Sequence, residues 1–131
     1  MNSINISETK RTPAISFDFQ SGRLEISGYR SMPEVSTKFY EPVIDWIKEY
    51  IQKATAKNTV ITFKLEYFNT SSGKCFVEIL KMLDKLAEKG HPVFLKWYYE
   101  EDDEDMNISG DDMQASVKFI QMEKIPYSTE S

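Results

Sequence analysis

Apolar and polar residues alternate through Ile15-Ser16-Phe17-Asp18-Phe19 and again through Leu24-Glu25-Ile26, on either side of Ser21-Gly22. Two such runs around a glycine-containing turn predict a β-hairpin over Ala14–Gln20 and Arg23–Gly28, with one apolar face per strand. A sheet built that way is covered on one side only. The period then changes. Phe39, Tyr40, Val43, Ile44, Trp46, Ile47, Tyr50, Ile51 and Ala54 recur every three or four residues and predict a helix of about four turns. Proline is at home in the first helical turn, so Pro42 places the regular start near Phe39 to Glu41, with Ser36 and Thr37 as cap candidates. The stretch from Gly28 to Glu34 reads as a connection.

Thr59 to Phe68 is the best strand in the chain, with Ile61, Phe63, Leu65 and Tyr67 on one face and Val60, Thr62, Lys64 and Glu66 on the other. A second amphipathic run buries Phe76, Ile79, Leu80, Leu83, Leu86 and Ala87 and stops at Gly90. Pro92–Tyr99 and Val117–Met122 read as further strands, with a short helix near 111–116 between them. A strand–helix–strand path must cross over, which makes the strands at Thr59 and Pro92 parallel neighbours. The expected fold is a single-domain α/β protein with a mixed sheet of about five strands and helices packed on one face. The polar, aperiodic ends, residues 1–13 and 125–131, read as tails around a domain spanning 14–124.

Composition changes this picture little. With 131 residues, 40% hydrophobic and 28% charged, the chain suits one globular domain. Charge matters more. The net charge is −5, yet residues 100–112 hold eight acids and no base, so the remainder is net positive. The acidity belongs to one segment, expected to be a solvated loop. A negative chain disfavours nucleic acid as a partner. No apolar run approaches the length of a membrane span and no signal peptide opens the chain, so a cytoplasmic protein without a membrane partner is expected. The single cysteine, Cys75, excludes an internal disulfide and is read as buried and inert rather than reactive. His91, the single histidine, excludes a multi-histidine metal site and reads as a solvated helix end.

Candidate chemistry gathers at Tyr67-Phe68-Asn69-Thr70-Ser71-Ser72-Gly73-Lys74, a strand-to-helix turn. Asn, Thr and Ser cap exposed N–H groups at a helix start, and that start carries a partial positive charge favouring a phosphate. Ordinary capping and a phosphorylation switch both fit the spacing. A nucleotide-binding loop does not, because Phe68 stands where the first glycine belongs and Cys75 where the Ser/Thr belongs. Asp105-x-Asn107-x-Ser109-Gly110 matches the first half of an EF-hand loop, but the twelfth position is Ser116. No Ser/His/Asp set or Cys/His cluster exists, so a non-enzyme without cofactor is expected.

Gly28-x-x-x-x-Pro33-Glu34, Phe39-Tyr40-x-Pro42-Val43-x-x-Trp46, Tyr67-Phe68-Asn69-Thr70-Ser71-Ser72-x-Lys74 and Trp97-Tyr98-Tyr99 before an acidic run together resemble the SiaC family of bacterial regulatory phosphoproteins. The likeness runs from about Ile15 to Gln121. It implies a STAS-like fold of the anti-sigma-factor-antagonist type and a role in partner switching. A serine/threonine kinase modifies the protein, a metal-dependent phosphatase reverses this, and the unmodified form binds an effector, in one branch a diguanylate cyclase. The resemblance places the phosphoacceptor at Thr70. Asn69, Ser71, Ser72 and Lys74 are expected to shape the turn and touch partners, with Tyr29, Pro33 and Glu34 as further contacts. Two other readings stay open: a small-molecule or divalent-metal module using residues 100–112 and the aromatic strand, and an interaction domain that is never modified.

Overall fold

The long alternating run in mid-sequence becomes a central strand that organises both helices and sheet. The structure, a computed structural model, describes residues 1–128. In chain order the elements are β1 (Ile4–Ile6), β2 (Ala14–Asp18), β3 (Arg23–Ser31), α1 (Ser36–Lys53), β4 (Thr59–Phe68), α2 (Thr70–Glu88), β5 (Val93–Glu100), α3 (Glu104–Ala115) and β6 (Gln121–Tyr127). All six strands form one sheet in sequence order, β1-β2-β3-β4-β5-β6. The first two pairings are antiparallel and the last three parallel. Each parallel pair is spanned by one helix, the crossover that parallel neighbours require.

One face of the sheet is apolar: Ile15 and Phe17, Leu24 and Ile26, Ile61, Phe63 and Leu65, and Val93, Leu95 and Trp97 are all buried. Onto it α1 lays Tyr40, Val43, Ile47 and Tyr50, and α2 lays Phe76, Ile79, Leu80 and Leu83. The helical stripes and the alternating strands meet in one core, which is what burial of apolar area drives. The other face of the sheet is open. There Lys64 lies over the rings of Tyr98 and Tyr127, at 5.3 and 5.2 Å. Cys75 is buried as expected, and burial pushes its thiol up, with Glu78 adding to the effect.

Several expectations are corrected. The sheet has six strands rather than about five, because the amino-terminal segment expected as a loose tail supplies β1. Ile4 pairs Phe17 and Ile6 pairs Ile15, while Trp46 Nε1 donates to the Asn2 carbonyl at 2.8 Å. Short polar sequence hides a strand when its pairing partners and its one indole anchor are far along the chain. At the other end β6 runs over Gln121–Tyr127 rather than Val117–Met122, so 125–127 are sheet; residues 129–131 of the expected carboxyl-terminal tail lie outside the described residues. Helix α1 begins at Ser36 with Val35 in the cap position, and Pro42 sits in its second turn. The bond Pro42 does not donate would go to the carbonyl of Lys38, an exposed residue that water can serve.

Residues 118–120 are held instead by one carboxylate. Asp84, on the rim of α2, accepts from the backbone N–H of Lys118 at 3.1 Å, Phe119 at 2.8 Å and Ile120 at 3.0 Å. Charge-assisted bonds of this kind are among the stronger ones. Asp84→Ala leaves three N–H groups without that acceptor and is expected to lower unfolding stability by about 1–3 kcal/mol. Urea titration would show a lower midpoint at unchanged slope; an unshifted midpoint would contradict the clamp.

The acidic segment is the largest departure. Instead of a loop to residue 112, it folds into α3 from Glu104 to Ala115. Asp103 caps it, its carboxylate accepting from Met106 N at 3.0 Å, and Glu104 and Asp105 fill the first turn. Acids belong at that end of a helix. Met106, Gly110 and Met113 face inward at helical spacing. Trp97 Nε1 donates to the Met106 carbonyl at 2.9 Å. Gly110 lies so close to the indole that an added Cβ would stand 2.7 Å from Trp97 Cδ1. Lys124 closes the contact by reaching Asn107 and Asp111. No helix among the described residues is long and apolar enough to cross a membrane.

Candidate functional site

At the end of β4 the strand alternation breaks. Leu65 points inward, but so does Phe68, whose ring packs on Phe76 at 5.2 Å and Trp97 at 5.9 Å. Tyr67, expected on the buried face, is 51% exposed. The neighbouring strand keeps its register through the break, Arg30 pairing Tyr67 and the buried Ser31 pairing Phe68. Phe68 turns inward because the first turn of α2 rests on it: an added Cβ on Gly73 would stand 3.0 Å from its ring. The glycine thus serves packing, in keeping with the failed nucleotide-loop reading.

Asn69 then leaves the strand in an extended conformation and caps α2. Its Oδ1 accepts from Ser72 N at 2.9 Å and from Ser71 Oγ at 3.3 Å, while its own N–H donates to the Ser31 carbonyl at 3.0 Å. Behind the cap lies a hydroxyl network joining three elements. Ser72 Oγ donates to the Ser31 carbonyl at 3.1 Å and accepts from Ser31 Oγ at 2.9 Å. Ser31 Oγ meets the Tyr40 hydroxyl at 2.6 Å, and Ser36 Oγ meets Ser71 Oγ at 2.7 Å. Ser31, Ser36, Tyr40 and Ser72 are buried, so their polar atoms need these partners. Burial pushes the Tyr40 hydroxyl far above its usual range, against the opposing bond from Ser31; the buried Cys75 adds a smaller upward effect. It stays neutral at any physiological pH.

Thr70 stands apart from this network. It is the first residue of α2, exposed, and its hydroxyl has no hydrogen-bond partner among the described residues. Of three consecutive hydroxyls in the string, two are engaged and one is free. Thr70 borders two cavities between α2 and α3. One, of about 410 Å³, is floored by Phe68, Val77 and Met113 and edged by Lys74 and Asp112. The other, of about 310 Å³, is edged by Glu66, Tyr67, Asp103 and Asp105.

The expected site residues divide accordingly. Thr70 and Lys74 are brought together at the groove, and Ser71 is exposed beside them. Asn69 is half-buried and acts as the cap. Ser72 is corrected from partner contact to frame, because its side chain is inside the network. Tyr29 and Glu34 are exposed, but Pro33 is buried, covered where Met32 N donates to the Arg11 carbonyl at 2.7 Å. Tyr29 and Arg30 belong to β3 rather than to a connection, the guanidinium stacking on the Tyr29 ring at 4.5 Å.

Sequence reasoning missed the exposure of Tyr67, Val35 and Ile108, and that the acidic segment is a helix. Tyr29, Val35, Tyr67 and Ile108 are exposed large hydrophobic side chains, and Tyr67 borders a cavity that Thr70 also borders. The α3 wall had a readable signal in Met106, Gly110 and Met113 at helical spacing behind a capping Asp103. Asp105, Asn107 and Ser109 lie on that helix, so the half-matched metal loop does not form, and no group of three or more metal-ligating side chains occurs among the described residues. Trp97 is buried in the core, which removes it from a ligand-binding aromatic strand.

A six-stranded mixed sheet covered on one face by helices, with an exposed threonine at a helix start on the sheet's rim, defines a single-domain α/β protein. The profile of the SiaC family regulatory phosphoproteins matches residues 6–127, and the chain belongs to that family. It is 33% identical to an uncharacterized protein of Pseudomonas aeruginosa strain UCBPP-PA14, over 91% of this chain and 93% of that one. Among solved structures it is similar to apo-SiaC from Pseudomonas aeruginosa, with TM-score 0.81 and 29% identity over 94% of this chain and 99% of that one. It is also similar to a chain in the structure of the diguanylate cyclase SiaD with its activator SiaC, from the same organism. There the TM-score is 0.81 and the identity 32%, covering 92% and 98%.

Proposed function

We propose that this chain is a non-catalytic, cytoplasmic partner-switching protein controlled by phosphorylation of Thr70. Its unmodified form binds a diguanylate cyclase through the face around Thr70 and raises its activity. A serine/threonine kinase adds the phosphate and a metal-dependent phosphatase removes it. The observation that carries this reading is the free Thr70 hydroxyl beside two engaged serines. An acceptor must present its oxygen to a kinase without first breaking buried bonds, and Thr70 alone in the string does. Support for the effector comes from the relative SiaC, solved as the activator of a diguanylate cyclase.

The helix start suits the modified state as well. A phosphothreonine carries about −1.5 to −2 charges at pH 7, and the positive end of α2 together with Lys74 offsets part of it within the domain. Incubation with the cognate kinase and ATP is expected to add one phosphate by intact mass, and Thr70→Ala to add none. An equal mass gain in Thr70→Ala would sink the assignment.

A further inference from the structure

Another cavity, of about 730 Å³, shares no residue with the two beside Thr70. Glu8, Thr9 and Lys10, from the connection between β1 and β2, line it together with Tyr29 and Arg30 near the end of β3. Gly28 lets the two segments approach. Its φ of +137° is one that side chains rarely adopt, and an added Cβ would stand 2.6 Å from Glu8 Oε2. The Glu8 carboxylate therefore lies against the strand backbone, where it accepts from Tyr29 N at 2.9 Å. Lys10 sits in a pinned turn: Thr9 Oγ1 accepts from the N–H groups of Arg11 at 3.2 Å and Thr12 at 3.0 Å.

Arg30 is the odd member. Its guanidinium lies over the Tyr29 ring, 4.5 Å from the centroid. It forms no ion pair among the described residues, although Glu8 lines the same cavity. Arg30 Nε is the one buried side-chain nitrogen or oxygen without a hydrogen-bond partner among the described residues. Arginine carries five N–H donors and no acceptor, and buried donors are nearly always paired. The terminal nitrogens are the ones a ligand meets; the unpaired Nε beside them shows that no acceptor of the chain satisfies the group. A guanidinium stacked on an aromatic ring has its planar fork fixed in direction, ready for two parallel bonds to a carboxylate or phosphate. Lys10 and Arg30 against Glu8 leave the lining net positive.

We propose that this cavity binds an oxyanion, the carboxylate or phosphate group of a small molecule, with the Arg30 guanidinium as its main donor and Lys10 as a second cation. Glu8 opposes the ligand by like charge, while its bond to Tyr29 N keeps the strand and the connection together. The site does not involve Thr70, so its failure leaves the proposed function untouched.

The test is a titration of the isotope-labelled full chain with sodium acetate and, separately, inorganic phosphate at neutral pH, against sodium chloride at matched ionic strength. The signals read are the Arg30 Nε–H and the backbone N–H groups of Lys10 and Tyr29. The expected result is a saturable shift with a midpoint of about 10 mM or below in at least one arm, and none with chloride. Saturation by acetate assigns a carboxylate ligand and saturation by phosphate alone assigns a phosphate; either supports the site. Arg30→Lys keeps the charge and loses the fork, and should raise the midpoint about tenfold. Lys10→Gln should raise it by a smaller factor, and Lys48→Gln, at an exposed position on α1, should leave it unchanged. Glu8→Gln keeps an acceptor for Tyr29 N and removes the like charge, so it should lower the midpoint severalfold. No saturable shift in either arm, the same shift with chloride, or an unchanged midpoint in Arg30→Lys overturns the proposal. Thermal melts check folding; if Arg30→Lys melts early, Glu8→Gln decides, and a midpoint there that is unchanged or higher overturns the site.

Discussion

Under the proposed function, the protein phosphorylated on Thr70 to completion is expected to bind a diguanylate cyclase effector about a thousandfold more weakly than the unmodified form, a difference of about 4 kcal/mol. The magnitude follows from where the phosphate lands. Thr70 borders one cavity edged by the exposed Tyr67 and another lined by Phe68, Val77 and Met113, side chains suited to a partner's apolar surface. A dianion pressed into such an interface loses its hydration without an acceptor's worth of donors in return, at a cost of several kcal/mol. Asp105 and Asp112 across the groove add repulsion rather than relief. No refolding is needed, because the buried hydroxyl network behind the cap does not include the Thr70 oxygen. Thr70→Asp carries half the charge or less and should weaken binding by a smaller factor. The second phosphate ionisation lies near pH 6. Below it the phosphate is a monoanion, so the gap between modified and unmodified forms should narrow on acidification from pH 7.5 to 5.5. Calorimetric titration of the purified cyclase against both forms checks all three statements; equal affinities at pH 7.5 would refute the charge mechanism.

Trp97→Ala is expected to be the most damaging single substitution to stability, at about 3–5 kcal/mol. The indole is fully buried, packs on Phe63 at 5.4 Å and on Phe68 at 5.9 Å, and carries α3 on its edge through the bond to the Met106 carbonyl. Removing it opens a cavity under α3 and leaves that carbonyl without its donor. Domains of this size have about 5–15 kcal/mol in all, so the variant should be close to unfolding at physiological temperature. Trp97→Phe keeps most of the packing and loses the bond, for about 1–3 kcal/mol. Because α3 supplies one wall of the Thr70 groove, the Phe variant should also show faster hydrogen exchange along α3 than along α2. Urea titration and exchange measurements decide it. A loss under 1 kcal/mol for Trp97→Ala would mean that α3 is held elsewhere.

The hairpin, the two long helices and the parallel pairing of β4 with β5 could be read from the chain because each rests on local periodicity and on the crossover rule. The turn at Asn69 to Lys74 was equally plain as a helix start, since caps are local chemistry. What failed shares one cause. Strand β1 depends on pairing with β2 and on an indole from α1; β6 begins late because Asp84 holds the preceding residues; Pro33 is covered by the chain at Arg11. In each case the decisive partner is remote in sequence. The acidic stretch misled differently: its charge suggested a loop, while its weaker Met106, Gly110, Met113 spacing carried the helix.

By itself, then, the sequence determined the layer architecture, the capped turn and, through its family resemblance, the candidacy of Thr70. Only the tertiary structure separated Thr70 from Ser71 and Ser72, because a hydroxyl's availability depends on partners from β3 and α1 that no local pattern reveals. It alone also turned Tyr67 outward and set an acidic helix across the groove. Periodicity assigns a residue to a face; which neighbours that face meets is settled by packing between elements far apart in the chain.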